Sequence, residues 1–333
     1  MSASGTVHQL WRFPVKSMGG AQVQQVRIDR RGVHADRLWA VRDLENDVTA
    51  SARRLPALLG CTARYARDPG PDAGPGRVPP VIVTFPDGSE LDSDDPAIHD
   101  RISEVVGRAV RLTALPPAED TSAHRLSLKQ SLANYAPSEV REDFGLSATE
   151  SLPDTSVFTT KQVLTLARYS TPPGTFVDLS PVHLMSTASL AALSPDGVPY
   201  DVRRFRPNVL VEPSGEGSGV EAEFPETLWV GSQLRLGSAS LHVEIPTIRC
   251  VVPTRAQPGL ETDRGLTRQL AQRTDRFLGV YADVTTAGVV RVGDEVTVHA
   301  VAEPGVVRRA ASAAGKTAMR GLQRILESTV LRG

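Results

Sequence analysis

Apolar and polar residues alternate in short runs over much of this chain. Val7-His8-Gln9-Leu10-Trp11-Arg12-Phe13 alternates and stops at Pro14. The runs 23–28, 37–41 and 81–85 are rich in Val, Ile and aromatic residues and read as further strands. Pro86-Asp87-Gly88 supplies a hairpin turn after the last of them. Helical spacing is rarer. Asp95-Pro96 opens a run with Ile98, Ile102, Val105 and Val106 on one face, and Ser51 is placed to cap a short helix carrying Leu55, Leu58 and Leu59. The Pro- and Gly-rich stretch 68–76 is a surface loop. In the second half, Ser180-Pro181 predicts the N-cap and first position of a helix over Val182–Leu193, and residues 263–272 predict another. Strands are expected at 208–211, 233–236, 240–245, 280–284, 289–292 and 295–298, with Gly-containing turns between several of them. Many short strands joined by tight turns predict a β-rich α+β fold with barrel-like sheets, not a doubly wound parallel sheet.

The 333 residues suffice for about two domains. Periodicity divides them into a strand-rich domain at 5–115, a connecting segment at 116–160 and a second domain at 161–300. The tail, 305–333, is helical in propensity. It carries Arg308, Arg309, Lys316, Arg320, Arg324 and Arg332 against a single Glu327, with an apolar side of Met319, Leu322, Ile325, Leu326 and Val330. That pattern fits a helix packed on the body; a membrane-surface contact is the sharper alternative. A net charge of −1 offers no field for general nucleic-acid binding. The N-terminus has no apolar signal core, and two widely separated cysteines do not make a disulfide framework, so a reducing, cytoplasmic setting is expected. The chain has no ferredoxin-type cysteine pattern, no Cys-x-x-Cys-His haem site, no P-loop and no convincing dinucleotide fingerprint. A redox role would therefore need electrons from elsewhere.

Ile245-Pro246-Thr247-Ile248-Arg249-Cys250 carries the most chemistry. A strand-like run ends at a proline and delivers one cysteine beside an arginine, with Arg255 close by. Thiolate is the form that binds metal or attacks, and a neighbouring cation favours it. Taken alone, Cys250 reads equally as a small buried hydrophobe, since free cysteines are often buried.

Pro-Thr247-Ile-Arg249-Cys250, followed by Leu-Gly-Val-Tyr281 and Val-Gly-Asp294, resembles the MOSC family of molybdenum-cofactor proteins, and within it the amidoxime-reducing branch. Four further strings agree in order: Phe13-Pro-Val-Lys16-Ser17, Asp36-Arg37-Leu-Trp39, the 179–189 segment Leu-Ser-Pro-Val-His-Leu-Met-Ser-Thr-Ala-Ser, and Arg206-Pro-Asn208-Val-Leu-Val. The resemblance spans about residues 5–300. It implies a MOSC N-terminal β-barrel domain beside a MOSC strand barrel, with molybdopterin-bound molybdenum in the cleft between them. By resemblance Cys250 is the metal ligand and catalytic centre. Lys16, Ser17 and Arg37 face the cofactor phosphate. Ser186, Thr187, Arg206, Asn208, Thr247, Arg249 and Tyr281 line the cofactor, with Ser189 a weaker candidate. These residue types match such a ligand, with cations and hydroxyls for phosphate, amide and guanidinium for pterin edges, and a soft thiolate for the metal. His183 reads as a core histidine.

The activity so implied is reduction of N-hydroxylated small molecules, with electrons from a separate ferredoxin-, flavin- or haem-type protein. Members of that branch tend to carry Ser-Arg-Cys followed by two threonines; this chain has Ile248-Arg249-Cys250 and Thr254, which leaves the substrate open. Two alternatives use other chemistry. A persulfide or cofactor carrier would use the same cysteine without molybdenum turnover, and an adaptor would dock through the basic tail and tolerate loss of Cys250.

Overall fold

The computed structural model describes residues 4–134, 136–214 and 222–299. The basic tail at 305–333 lies outside these described residues.

The second half of the chain builds a closed seven-stranded barrel, and the first strand completes it. Around the barrel the order is Val209–Ser214, Val182–Ser186, Phe277–Thr286, Ala239–Ile248, Gln233–Leu236, Glu295–His299 and Ser4–Arg12, which pairs back onto Val209–Ser214. Closure removes the exposed sheet edges that an open sheet of this size would present. Neighbours are antiparallel except Val182–Ser186 and Val209–Ser214, which are parallel and joined through the helix Thr187–Leu193. The inner face is aliphatic, with Val7, Leu10, Leu184, Val211, Leu234, Leu241, Val243, Val280 and Val296 fully or nearly buried.

The predicted helix over Val182–Leu193 is corrected here. Val182–Ser186 is a strand with all five residues buried, and the helix starts only at Thr187, capped by the Ser186 hydroxyl accepting from Ser189 N. A strand covered on both faces has no alternation, so its apolar run imitates a buried helix. Ser51 likewise caps no helix; the leucines around it form a 3-10 turn, Pro56–Gly60, without a side-chain cap. The helices Ala97–Val106 and Gly265–Thr274 fall where spacing placed them.

The N-terminal unit packs two three-stranded sheets around Val15, Met18, Leu58, Val81, Val83, Ile98, Ile102 and Leu112. Cys61 belongs to this core, and burial pushes its thiol up to about 11, so it is inert. Residues 13–20 carry the chain from the barrel to the N-terminal sheets and back. The chain leaves the barrel at Arg12, then runs beside the N-terminal sheets, where Lys16 N donates to Trp39 O (2.8 Å) and Gly19 N to Cys61 O (2.9 Å). The Lys16-Ser17 turn is thereby fixed at the seam.

The connecting segment contributes a buried histidine. His124 Nε2 accepts from Gly174 N (3.4 Å), so Nδ1 must carry the proton that faces Thr171 Oγ1 (2.8 Å). Both nitrogens are committed to the neutral ring, and burial lowers the pKa to about 4. A depressed histidine leaves the unfolded state binding more protons between pH 4 and 6.5. Its contribution is complete above pH 6.5 and disappears as pH falls toward 4, by up to roughly 3 kcal/mol. Urea unfolding across that range is expected to show this loss, and His124→Asn is expected to flatten it.

Candidate functional site

Three of the sequence-predicted residues hold a left-handed backbone that non-glycine residues seldom adopt: Ser17 (φ 71°), Arg37 (φ 50°) and Arg206 (φ 57°). Such conformations persist where surrounding structure enforces them, and they gather at functional sites. Here the enforcement is visible. Arg37 N donates to Phe13 O (2.7 Å), Asp36 Oδ1 accepts from Phe13 N (2.7 Å), and Asp36 Oδ2 accepts from the Arg37 guanidinium. The Ser17 hydroxyl accepts from Ala52 N (2.9 Å).

Two guanidiniums share the Phe13 ring, Arg206 at 4.4 Å and Arg37 at 5.1 Å from its centroid. Arg206 Nη1 donates to Met18 O (2.5 Å), tying the barrel to the seam, while its Nη2 is buried without a partner. Burial and the neighbouring Arg37 lower Arg206 to about 9. Lys16, 5% exposed, donates to Asp178. Burial lowers its pKa against the opposing pull of that carboxylate. Arg206 is under-compensated and keeps a donor to spare.

Cys250 follows the strand Ala239–Ile248, whose strict alternation turns Thr247 inward. The Thr247 hydroxyl is buried and unpartnered. Arg249 N donates to Arg276 O (2.7 Å) and Val251 N to Asp143 O (2.8 Å), which holds the cysteine's own turn from both sides. Cys250 is half-buried. Burial pushes its thiol up, while Arg53 and the Val252 amide act in the opposite direction. Arg53 is anchored by Asp143 (2.8 Å) and reaches the site from the N-terminal unit. The adjacent Arg249 is a minor influence on the thiol. The Tyr281 ring lies 5.4 Å from the His183 ring, and burial followed by Asp178 drives its phenol well above the ordinary tyrosine range.

Asp178 is the centre of this arrangement. Lys16, Arg37, Arg53, Arg206, Cys250 and Tyr281 all feel its charge. The fold therefore brings together Lys16, Arg37, Arg206, Cys250 and Tyr281 from the predicted set, across both units. Asp178 and Arg53 were not among the predicted residues. Asp178 carried a faint signal as a lone acid inside Phe176-Val-Asp-Leu; Arg53 carried none beyond its charge.

Other predicted residues have side chains committed to the fold. Ser186 donates to Glu226 Oε2 (2.6 Å) and meets Ser189 Oγ (2.9 Å). Asn208 accepts from His183 N (3.3 Å) and donates to Trp11 O (3.4 Å). Arg249 spends its guanidinium on Leu278 O (2.7 Å), Phe205 O (3.1 Å) and His183 Nε2 (2.7 Å). Thr187 is half-buried at the start of its helix. His183 is a buried neutral acceptor, its pKa held well below 6.5 by burial and Arg249.

Glu226 is fully buried, with Oε1 unpartnered, and burial raises its pKa. A raised folded-state pKa gives a contribution that is present below the unfolded value and lost as pH rises through the folded one. Glu226→Gln is therefore expected to raise the melting temperature at neutral pH, with the gap closing near pH 4. Thermal melts of both proteins over that range check this.

A separate cleft of about 380 Å³ lies between Gly60, Thr62, Phe85 and Pro86 on one side and Ala256, Gln257 and Pro258 on the other. It contains no ionisable side chain, so the charged cluster, not this cleft, is the candidate site. Among the described residues no group of three or more His, Cys, Asp or Glu could hold a bare metal ion. No helix there is long and apolar enough to cross a membrane.

Residues 4–94 match the MOSC N-terminal beta barrel domain, and residues 172–297 match the MOSC domain. This chain belongs to the MOSC-domain family. Mitochondrial amidoxime reducing component 2 of Rattus norvegicus is 26% identical over 313 residues, covering 88% of this MOSC protein and 82% of its own length. Among solved structures, the YuaD protein of Bacillus subtilis covers 91% of the chain and 99% of its own at 13% identity and a TM-score of 0.38. YiiM of Geobacillus stearothermophilus covers 38% and 56% at 19% identity and a TM-score of 0.28. In the MOSC N-terminal match lie Lys16, Arg37 and Arg53; in the MOSC match lie Asp178, Arg206, Cys250 and Tyr281.

Proposed function

We propose that this MOSC-domain protein binds a molybdenum cofactor through Cys250 and reduces N-hydroxylated small molecules with electrons from a separate redox protein. One observation carries the reading. Both units send cations to one point, where Arg206 keeps a donor to spare, while the half-buried Cys250 sits in the same electrostatic neighbourhood. Phosphate suits Lys16, Arg37 and the free Nη2 of Arg206, and the unpartnered Thr247 hydroxyl suits a polar edge of the pterin. A soft thiolate suits molybdenum, and a metal held by one protein sulfur needs its remaining ligands from an organic carrier. The reductase relative of Rattus norvegicus supports the substrate class.

When bound, the cofactor supplies the two-electron chemistry. The residues of the chain bind and orient it. Arg53 favours the thiolate of Cys250 against the burial that disfavours it. Tyr281 stays protonated throughout the neutral range and can donate a hydrogen bond within the site. The overall reaction takes up two electrons and two protons, breaks the N–O bond and releases water.

Protein made in a cofactor-proficient host is expected to contain about one molybdenum per chain and to reduce an amidoxime with an artificial two-electron donor. Metal analysis and product chromatography check both. A preparation from such a host without molybdenum overturns the proposal.

A further inference from the structure

We propose that Asp178 is a built-in counter-ion of the anion site, and that a phosphate monoester binds by displacing its carboxylate from Lys16. This rests on the reading of the cation cluster as an anion site, and not on the reductase activity.

The partners of the ion pair differ in freedom. The Lys16 side chain is 5% exposed and that of Asp178 is 63% exposed. The ammonium cannot leave, because its backbone is tied to Trp39 at the seam and its stem is enclosed. The carboxylate stands in the 169–181 connection between the helix Thr160–Arg168 and the strand Val182–Ser186, with water on its open side. A rotation of Asp178 would exchange one buried contact for hydration.

The other acids are differently placed. Asp36 is enclosed, with a side chain 2% exposed, and is locked to Arg37 and to Phe13 N. Asp143 is 8% exposed and holds Arg53 and Arg54 (3.2 Å to Arg54 Nε). Asp178 is thus the solvent-exposed anion among enclosed ones. Desolvation works against its ionisation, but Lys16, Arg37 and Arg53 outweigh it and keep the carboxylate charged far below the usual range. A phosphate approaching Lys16, Arg37 and the free Nη2 of Arg206 meets this carboxylate as a competitor and a like charge. Without Asp178, Lys16 would face Arg37 and Arg53 with no carboxylate of its own, so the same residue that opposes the ligand supports the fold before the ligand arrives.

The test measures binding of inorganic phosphate, by calorimetry and by thermal shift, against a sodium chloride control of equal ionic strength. Asp178→Asn is expected to bind phosphate about tenfold more tightly than the parent protein. Its melting temperature is expected to be lower in chloride and to recover in phosphate. Asp178→Glu, which keeps the charge, is expected to bind as weakly as the parent. Should the asparagine variant not fold, Asp178→Ser carries the same expectation. If phosphate binds the uncharged variants no more tightly, or less tightly, Asp178 positions Lys16 instead and the counter-ion proposal is wrong. Lys16→Met separates the two readings. Loss of phosphate binding there, with no gain in Asp178→Asn, preserves the anion site and removes the counter-ion; unchanged binding in Lys16→Met removes both.

Discussion

Cys250→Ala is expected to purify without molybdenum and to lose N-reductase turnover by at least about a thousandfold, or about 4 kcal/mol of barrier. Cys250 is the half-buried sulfur of the site, whereas the other cysteine, Cys61, is sealed in the N-terminal core. The substitution removes one small, partly exposed atom at the end of a strand, so stability should change by less than about 1 kcal/mol. Metal content, turnover and melting temperature measured on one preparation check the three parts together. Serine offers a hard oxygen where a soft donor is needed and should not restore turnover. A persulfide carrier would give a different pattern: no molybdenum in the parent protein, and sulfur transfer from a donor that depends on Cys250.

Arg249→Lys is expected to destabilise the protein by about 3 kcal/mol, although it keeps the charge. The guanidinium satisfies Leu278 O, Phe205 O and His183 Nε2 at once, and also approaches Met185 Sδ (3.2 Å). An ammonium on a flexible stem cannot reproduce that planar fork, so buried acceptors lose their donor. Burial already lowers Arg249 to about 10, against the opposing influence of Tyr281 and Cys250. The residue therefore stands in the barrel wall and sets where the next residue, Cys250, emerges. Urea unfolding measures the loss. An Arg249→Lys protein of unchanged stability that merely retained less cofactor would show that the side chain serves the ligand directly.

Strand alternation made the fold legible wherever one face is solvated. The run ending at Ile248 alternates strictly, and the helices after Asp95 and Asp263 carry their own start signals, Asp95 Oδ1 accepting from Ala97 N and Asp263 Oδ1 from Leu266 N. It failed at Val182–Ser186 because a strand buried on both faces has no period to read. Much of the cation cluster was legible from charged residues in family order. The roles of the side chains around it were not. Ser186, Asn208 and Arg249 meet Glu226, Trp11 and Leu278, partners far away in the chain, and nothing local announces those bonds. Asp178 and Arg53 matter through where the fold places them. An isolated acid and an isolated arginine are otherwise ordinary surface residues.

Whether the Cys250 sulfur holds the metal can be read from its alkylation. Molybdenum-loaded protein and the same protein prepared without molybdenum would be treated with iodoacetamide, digested and analysed by mass spectrometry, with buried Cys61 as the internal control. A thiolate bound to metal is not free to attack. Cys250 is expected to be protected in the loaded protein and modified in the molybdenum-free protein, with Cys61 unmodified in both. Equal modification of Cys250 at full molybdenum content would rule out a bond between this sulfur and the metal.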